Sequence, residues 1–460
     1  MYHMRLNGDR LGDNALSIFD RGQRAAAENT LGGELPDMSW WQATTGVKFA
    51  GLGLRTAHST ALAAFVASRI SSRPLVCTMV GHYCNAMGAS PGQIFSAYDR
   101  RTEDALVALV SELPPNAGAD LLDKLDTAAD EACRAWRAIL EGDEEPRDLS
   151  GRAVDAPRRR PGTTITPDDG DGGAEHPSAP NHGRCQRNQH EITSAIDECV
   201  REGLRQEYAN GQNYTALRRL DELSDKNIDH SWLWHLSKHH GPILSSEEFI
   251  EAVRVRLGAA GPSEPVPCAR CGRELLDSAG AHAACCACAE ATIGHYSVAR
   301  QVLNAALQCD PSAESETAGL IPGTRLRPAD VLTTALGNAT TALDVGITSP
   351  DAIHAGLDCA ETMYQRKIAY YGPHVAALER ANIDYLPLIW SSYGRPHARA
   401  IATLRTLSKR IARRRGAACA DAVFKHLHAS ITTEIWRRAA RQVISCWPGN
   451  VDWAEALAPT

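Results

Sequence analysis

Five of the chain's fourteen cysteines fall between Cys268 and Cys288, while the other nine stand singly. Cys268 and Cys271 form a CxxC, the spacing at which two thiolates on one tight turn can reach a single tetrahedral ion. His282 follows, then Cys285, Cys286 and Cys288. Cys268, Cys271, His282 and Cys286 compose a Cys3His set suited to structural zinc at a Zn–S distance of about 2.3 Å. Cys285 and Cys288 are alternatives for the fourth position, and His295 is a further substitute. Gly272 and Gly280 supply the turn freedom that such a small loop needs. A redox pair would be expected beside a βαβ pattern, but Pro262, Pro265 and Pro267 precede this CxxC instead. The scattered cysteines read as reduced core residues, since dense disulfides belong to small secreted domains.

The rest of the chain must therefore be stabilised by ordinary burial. It has 460 residues, 43% of them apolar and 22% charged, which is the composition of a globular protein of about three domains. No apolar run approaches the roughly 18–20 residues that span a bilayer, and the start, MYHMRLNGDR, lacks an apolar signal core. A soluble intracellular protein, nuclear or cytoplasmic and without a membrane partner, is expected.

Texture divides the chain unevenly. Residues 1–142 are Ala- and Leu-rich with helical periodicity, as from Ala57 to Ile70 and from Asp104 to Leu113. Residues 143–190 hold Arg158, Arg159 and Arg160 and then a Gly/Asp/Pro-rich run, the composition of a flexible linker. A helical bridge over 191–262 begins with a helix from Glu191 to Tyr208. It ends with a capping box, Ser245 and Glu248, ahead of Phe249, Ile250, Val253 and Leu257. The finger occupies 263–290. Beyond it, Ser297–Leu307 and Asp358–Tyr370 read as helices. Thr341–Thr348 reads as a strand, and Tyr385–Trp390 as a second strand that Pro387 places at a sheet edge. From His397 to Trp436 the pattern is helical, broken at Gly416. The expected class is mixed α+β, largely helical in its N-terminal part.

A second chemical cluster lies downstream of the finger. Asp330 sits in RLRPADV, and Asp344 in TTALDVGITSP. On a strand, Leu343, Val345 and Ile347 share one face, while Ala342, Asp344 and Gly346 share the other. A carboxylate buried in such a strand is costly unless it is paired or binds a metal. Glu316 lies upstream, and Lys367 and Tyr370 lie on the following helix. Two or three carboxylates with a lysine suit a Mg²⁺-dependent phosphodiesterase: the acids hold a hard cation, and the lysine neutralises developing charge. An N-cap Asp330 and an ordinary salt bridge at Asp344 are the plainer reading.

The order of these pieces resembles the C-terminal part of non-LTR retrotransposon proteins that carry a restriction-enzyme-like endonuclease. FAGLGLRTAHSTALAAFVAS (49–68) resembles the segment beyond the reverse-transcriptase thumb. SWLWHL with LSSEEFIEAVRVRLG (231–258) resembles the helical region before the finger. CARCGRELLDSAGAHAACC (268–286) resembles the family's Cys-Cys-His-Cys finger. RLRPADV to ALDVGITSP (325–350) resembles a PD-(D/E)xK endonuclease core, and MYQRKIAYY (363–371) the helix with its displaced lysine.

The resemblance implies a helical remnant of the post-polymerase region over 1–142 and an α/β endonuclease core over 291–395, with basic C-terminal helices over 396–460. It makes Asp330 and Asp344 ligands of catalytic Mg²⁺, Glu316 the upstream acid and Lys367 the catalytic lysine. The sequence departs from the family in two places. Ala329 interrupts the Pro-Asp pair, and Gly346 stands where a lysine usually follows the second carboxylate, leaving room for a lysine from the next helix. No YADD-like motif of the kind a polymerase palm requires is present. The implied activity is target-site nicking of DNA by metal-dependent phosphodiester hydrolysis. A non-catalytic nucleic-acid-binding remnant is the alternative.

Net charge is −7, yet Ile401–Arg441 carries ten Lys plus Arg against Asp421 and Glu434, a local +8 that leaves −15 elsewhere. Arg405, Lys409 and Arg413, at i, i+4 and i+8, make a stripe that matches a phosphate backbone, with Arg410 and Arg414 beside it. DNA is the expected partner and RNA a second candidate. A solvated helix face is the simpler explanation of the same charges.

Overall fold

The computed structural model describes residues 2–88, 91–111, 119, 121–122, 182–234, 242–261, 266–277, 279–286, 289–337, 339–416 and 419–447. The chain forms two compact units, residues 1–23 with 55–200 and residues 24–54 with 201–460. It is mixed α and β, mostly helical, with two small sheets. No helix of the described residues is long and apolar enough to cross a membrane.

The first unit is helical. Its longest helix, Ala57–Met87, starts at Thr56, whose side chain accepts from the Ser59 N–H and so satisfies one of the unpaired first-turn donors. Phe65, Val66, Leu109 and Ile192 form its core. The expected linker, 143–190, lies outside the described residues up to position 181. Its last part is corrected, because the helix predicted from Glu191 runs over His182–Asn210. Their polarity suits a linker, but Arg, Gln and Asn without proline do not prevent a helix.

The second unit draws an early segment into the later chain. Its elements are α1 (Asp37–Thr44), α2 (Tyr214–Leu223), α3 (Ser246–Leu257), strands β1 (Val266–Pro267) and β2 (Leu275–Leu276), α4 (Ala281–Cys285) and α5 (Ala289–Leu307). After them come β3 (Glu314–Ser315), β4 (Val331–Thr333), β5 (Thr340–Thr348), α6 (Cys359–Tyr371), α7 (Val375–Arg380), β6 (Ile383–Ser391), α8 (Ala398–Arg415) and α9 (Ala420–Cys446).

Residues 24–54 are tied to α3 by buried polar groups. Ser39 Oγ donates to Leu257 O at 2.9 Å and Gln42 Nε2 to Arg256 O at 2.9 Å. The fully buried Arg256 donates to the carbonyls of Val47 and Gly51 at 2.8–3.1 Å. The predicted capping box is present: Ser245 accepts from the Glu248 N–H, and Glu248 accepts from the Ser245 N–H.

Strand order in the larger sheet is β3-β4-β5-β6, antiparallel except for the parallel β5–β6 pair. The α6 crossover connects those two strands, as parallel pairing requires. Both expected strands are found, slightly extended, and β6 with Pro387 lies at the sheet edge. The predicted two-residue alternation on β5 also holds. Leu343 and Val345 join Leu388 and Trp390 beneath α5, α8 and α9. Ala342 packs on the opposite face with Ile383, Tyr371 of α6 and Leu378 of α7. Gly416 ends α8 in the left-handed conformation at φ 63°, where the break was expected.

Candidate functional site

The cysteine cluster is assembled by a hairpin and a short helix. β1 and β2 pair antiparallel around a turn in which Gly272 N donates to Cys268 O at 2.8 Å. Gly272 adopts φ 62°, which glycine reaches without cost. Asp277 accepts from the N–H groups of Ala279, Ala281 and His282 at 2.8–3.4 Å, fixing the start of α4 and with it the His282 ring.

Cys268, Cys271, His282 and Cys286 consequently bring four donor atoms within 4.8 Å of one another. Cys268 Sγ lies 3.9 Å from Cys286 Sγ, and Cys271 Sγ lies 3.3 Å from His282 Nε2. A tetrahedral ion with ligands at about 2.3 Å separates its donors by about 3.8 Å, so the set fits a structural Zn²⁺. The sulfur separation excludes a disulfide, whose S–S length is about 2.05 Å. Backbone N–H groups of Arg273 and Glu274 pull the Cys271 thiol down to about 6, whereas burial pushes Cys286 up to about 12.

Of the alternatives for the fourth ligand, Cys285 stands outside the set and is exposed, and Cys288 lies outside the described residues. His295 is engaged elsewhere. Among the described residues this is the only group of three or more His, Cys, Asp or Glu donors close enough for one ion.

The cluster is docked on the end of α9. Gln442 Nε2 donates to Ala283 O and Cys286 O, Ala269 N donates to Cys446 O, and Arg270 Nε donates to Ser445 O at 2.8–3.4 Å.

The second cluster is built on the backbone of Val345. Its N–H donates to Asp330 Oδ2 at 2.7 Å, and its carbonyl accepts from Lys367 Nζ at 2.9 Å. The same carbonyl lies 3.1 Å from His295 Nε2, which is 3.4 Å from Asp330 Oδ2. Lys367 also forms an ion pair with Asp344 Oδ1, and the Tyr385 hydroxyl donates to Asp344 Oδ2. Asp330, just before β4, is thus brought together with Asp344 of β5 and Lys367 of α6. Ala329 fills the core behind the strand, and Asp330 N continues the β4–β5 ladder to Leu343 O at 2.9 Å. At Gly346 a Cβ would lie 2.8 Å from Ile389 Cδ1 and 3.1 Å from Lys367 Cε. The missing side chain is the space that Lys367 uses.

Burial raises the Asp344 carboxyl above its ordinary value despite Lys367, while the bond to Asp330 raises His295. Burial beside Asp344 drives the Tyr385 phenol upward too. Glu316 is less integrated. Its N–H donates to Asp330 O at 3.1 Å, but its carboxylate faces Arg327 at 3.7 Å.

The basic helices divide their charge. Arg405, Lys409 and Arg413 are exposed on α8, opposite the buried Leu404, Leu407 and Ile411. Arg405 lies 4.7 Å over the Phe424 ring, and Arg410 and Arg414 donate to the carbonyls of Thr334 and Cys309. On α9, Arg437 and Arg441 pair with Glu248 of the capping box. Part of the local +8 is therefore internal.

Sequence reasoning passed over His295 as an Asp330 partner, and over Tyr385. The signal for Tyr385 was its two-residue offset from Pro387, the position that pairs with Asp344 in β6. His295 carried no local signal, because its partners lie in other elements. No protein-family profile, curated protein or solved structure matches the chain.

Proposed function

We propose that this chain is a retroelement-derived DNA endonuclease that hydrolyses a phosphodiester bond with Mg²⁺. The observation that carries the reading is the convergence of Asp330, Asp344 and Lys367 around the backbone of Val345. Asp330 and Asp344 would hold the ion, and two carboxylates completed by waters and phosphate oxygens are an ordinary Mg²⁺ set. No described residue bonds Asp330 Oδ1, so that oxygen is open to a ligand. Bound there, Mg²⁺ supplies an activated water and a counter-charge for the phosphate. Lys367 would stabilise negative charge developing on the phosphate, and His295 and the Val345 N–H hold Asp330 in position. The zinc cluster and the exposed α8 stripe would place the nucleic acid.

One observation favours a second reading, a non-catalytic nucleic-acid-binding remnant: both oxygens of Asp344 are already occupied, by Lys367 and Tyr385. Incubation with supercoiled plasmid separates the two. Nicking that needs Mg²⁺ or Mn²⁺ and is lost in Asp344→Ala is the expected result. An intact plasmid, together with binding that weakens steeply with salt, would establish the remnant.

A further inference from the structure

One side of α5 runs from the packed Leu303 to the half-exposed Tyr296 and Ile293. Ile293, Tyr296, Arg300 and Leu303 recur at i, i+3, i+7 and i+10, so they lie along one side of the helix. That side forms a wall of an open cleft of about 710 Å³, and Ser315, Glu316 and Asp330 form the facing wall. Ile293 and Tyr296 are each nearly half exposed, at 48% and 47%. The Tyr296 ring is braced edge-on against His295, with centroids 5.7 Å apart, and His295 is the residue that holds Asp330.

Charge in the cleft is uneven in a useful way. Glu316 faces Arg327, and Asp330 is bonded by His295 and by the Val345 N–H. Arg300 is exposed and makes no ion pair or hydrogen bond with any described residue. Among the described residues the lining therefore offers a half-exposed aromatic ring, apolar flanks, and the Arg300 guanidinium a single helical turn from the ring.

We propose that this cleft binds an unpaired nucleic-acid strand, a base stacking on Tyr296 and a backbone phosphate pairing with Arg300. The combination of ring and guanidinium selects this occupant. A half-exposed ring takes any unpaired base, and an exposed arginine matches a phosphate. A paired duplex keeps its bases stacked and offers Tyr296 nothing to receive. The inference deepens the endonuclease reading and rests on it, because Asp330 of the carboxylate–lysine group lines the cleft.

The test is fluorescence anisotropy of the full chain with a short labelled oligothymidylate, its RNA counterpart and a duplex, without added divalent metal. Tyr296→Ala should weaken binding of the single strand about tenfold, while Tyr296→Phe, which keeps the ring, binds like the parent. Arg300→Gln should weaken binding and make the slope of log K against log salt shallower by about 0.7, a change that Tyr296→Ala does not produce. Tyr296-dependent binding of DNA or RNA supports the cleft, since base and phosphate are common to both. Unchanged binding in Tyr296→Ala and Arg300→Gln overturns it whatever the plasmid assay shows, and so does a parent that prefers duplex. An uncut plasmid with Tyr296-dependent binding intact would overturn only the endonuclease reading and leave the cleft supported.

Discussion

Lys367 reaches Asp344 through the volume that a side chain at position 346 would occupy. The two residues stand on α6 and β5, and a Cβ at Gly346 would lie 3.1 Å from Lys367 Cε, crowding the stem that reaches the ion pair. Gly346→Ala is expected to destabilise the fold by about 1–3 kcal/mol, the usual cost of overpacking, and to turn Lys367 away. Urea unfolding will measure the cost. In a Lys367→Ala background the penalty should shrink but persist, because the Ile389 contact remains. Equal penalties in both backgrounds would show that Lys367 does not occupy that space.

The ion pair itself is mostly shielded from water, Lys367 retaining 22% and Asp344 10% of its side-chain exposure. Lys367→Met should cost about 3–5 kcal/mol, because Asp344 would keep a buried charge with only Tyr385 beside it. The double variant Lys367→Met/Asp344→Asn should recover much of that loss. Additive costs in a urea double-mutant cycle would contradict the pairing.

Purified protein should carry one zinc per chain, lost in Cys268→Ser. Chelation should loosen more than the hairpin. Gln442 and the backbones of Ser445 and Cys446 tie the cluster to α9, so amide exchange should quicken at the C-terminal end of that helix. Exchange that changes only between 266 and 286 would show that the finger does not support α9.

Acid should destabilise the second unit through a histidine. Burial, reinforced by the charge of Arg256, lowers His230 to about 3, so it stays neutral in the fold. The unfolded chain takes up that proton near pH 6.5. Stability should therefore fall as pH drops from about 6.5 towards 3, by up to about 1.4 kcal/mol per pH unit from this group. His230→Gln should flatten the profile in that window. An unchanged slope in urea titrations at successive pH values would assign the effect to other groups.

Local signals were legible wherever the physics is local. The Ser245–Glu248 box, the left-handed stop at Gly416, the edge position implied by Pro387 and the alternation along β5 depend on residues within a turn or two. The Cys268–Cys286 set was legible for the same reason, since eighteen residues of separation span one hairpin and one short helix. Polarity misled at His182–His190, where composition argued for linker and helix propensity prevailed. Charge misled at Arg437 and Arg441, whose run of like sign concealed partners on α3.

By itself, then, the sequence determined the longer helices and strands, the Ser245–Glu248 and Gly416 caps, the apolar face of β5 and a Cys/His cluster of metal-ligand spacing, because neighbouring residues carry those preferences. Tertiary structure alone decided that His295, Asp330, Tyr385 and Lys367 meet around Val345 and Asp344, and that residues 24–54 belong with 201–460. Those meetings depend on strand register, on the α6 crossover and on a cavity at Gly346, quantities set by packing between segments remote in sequence.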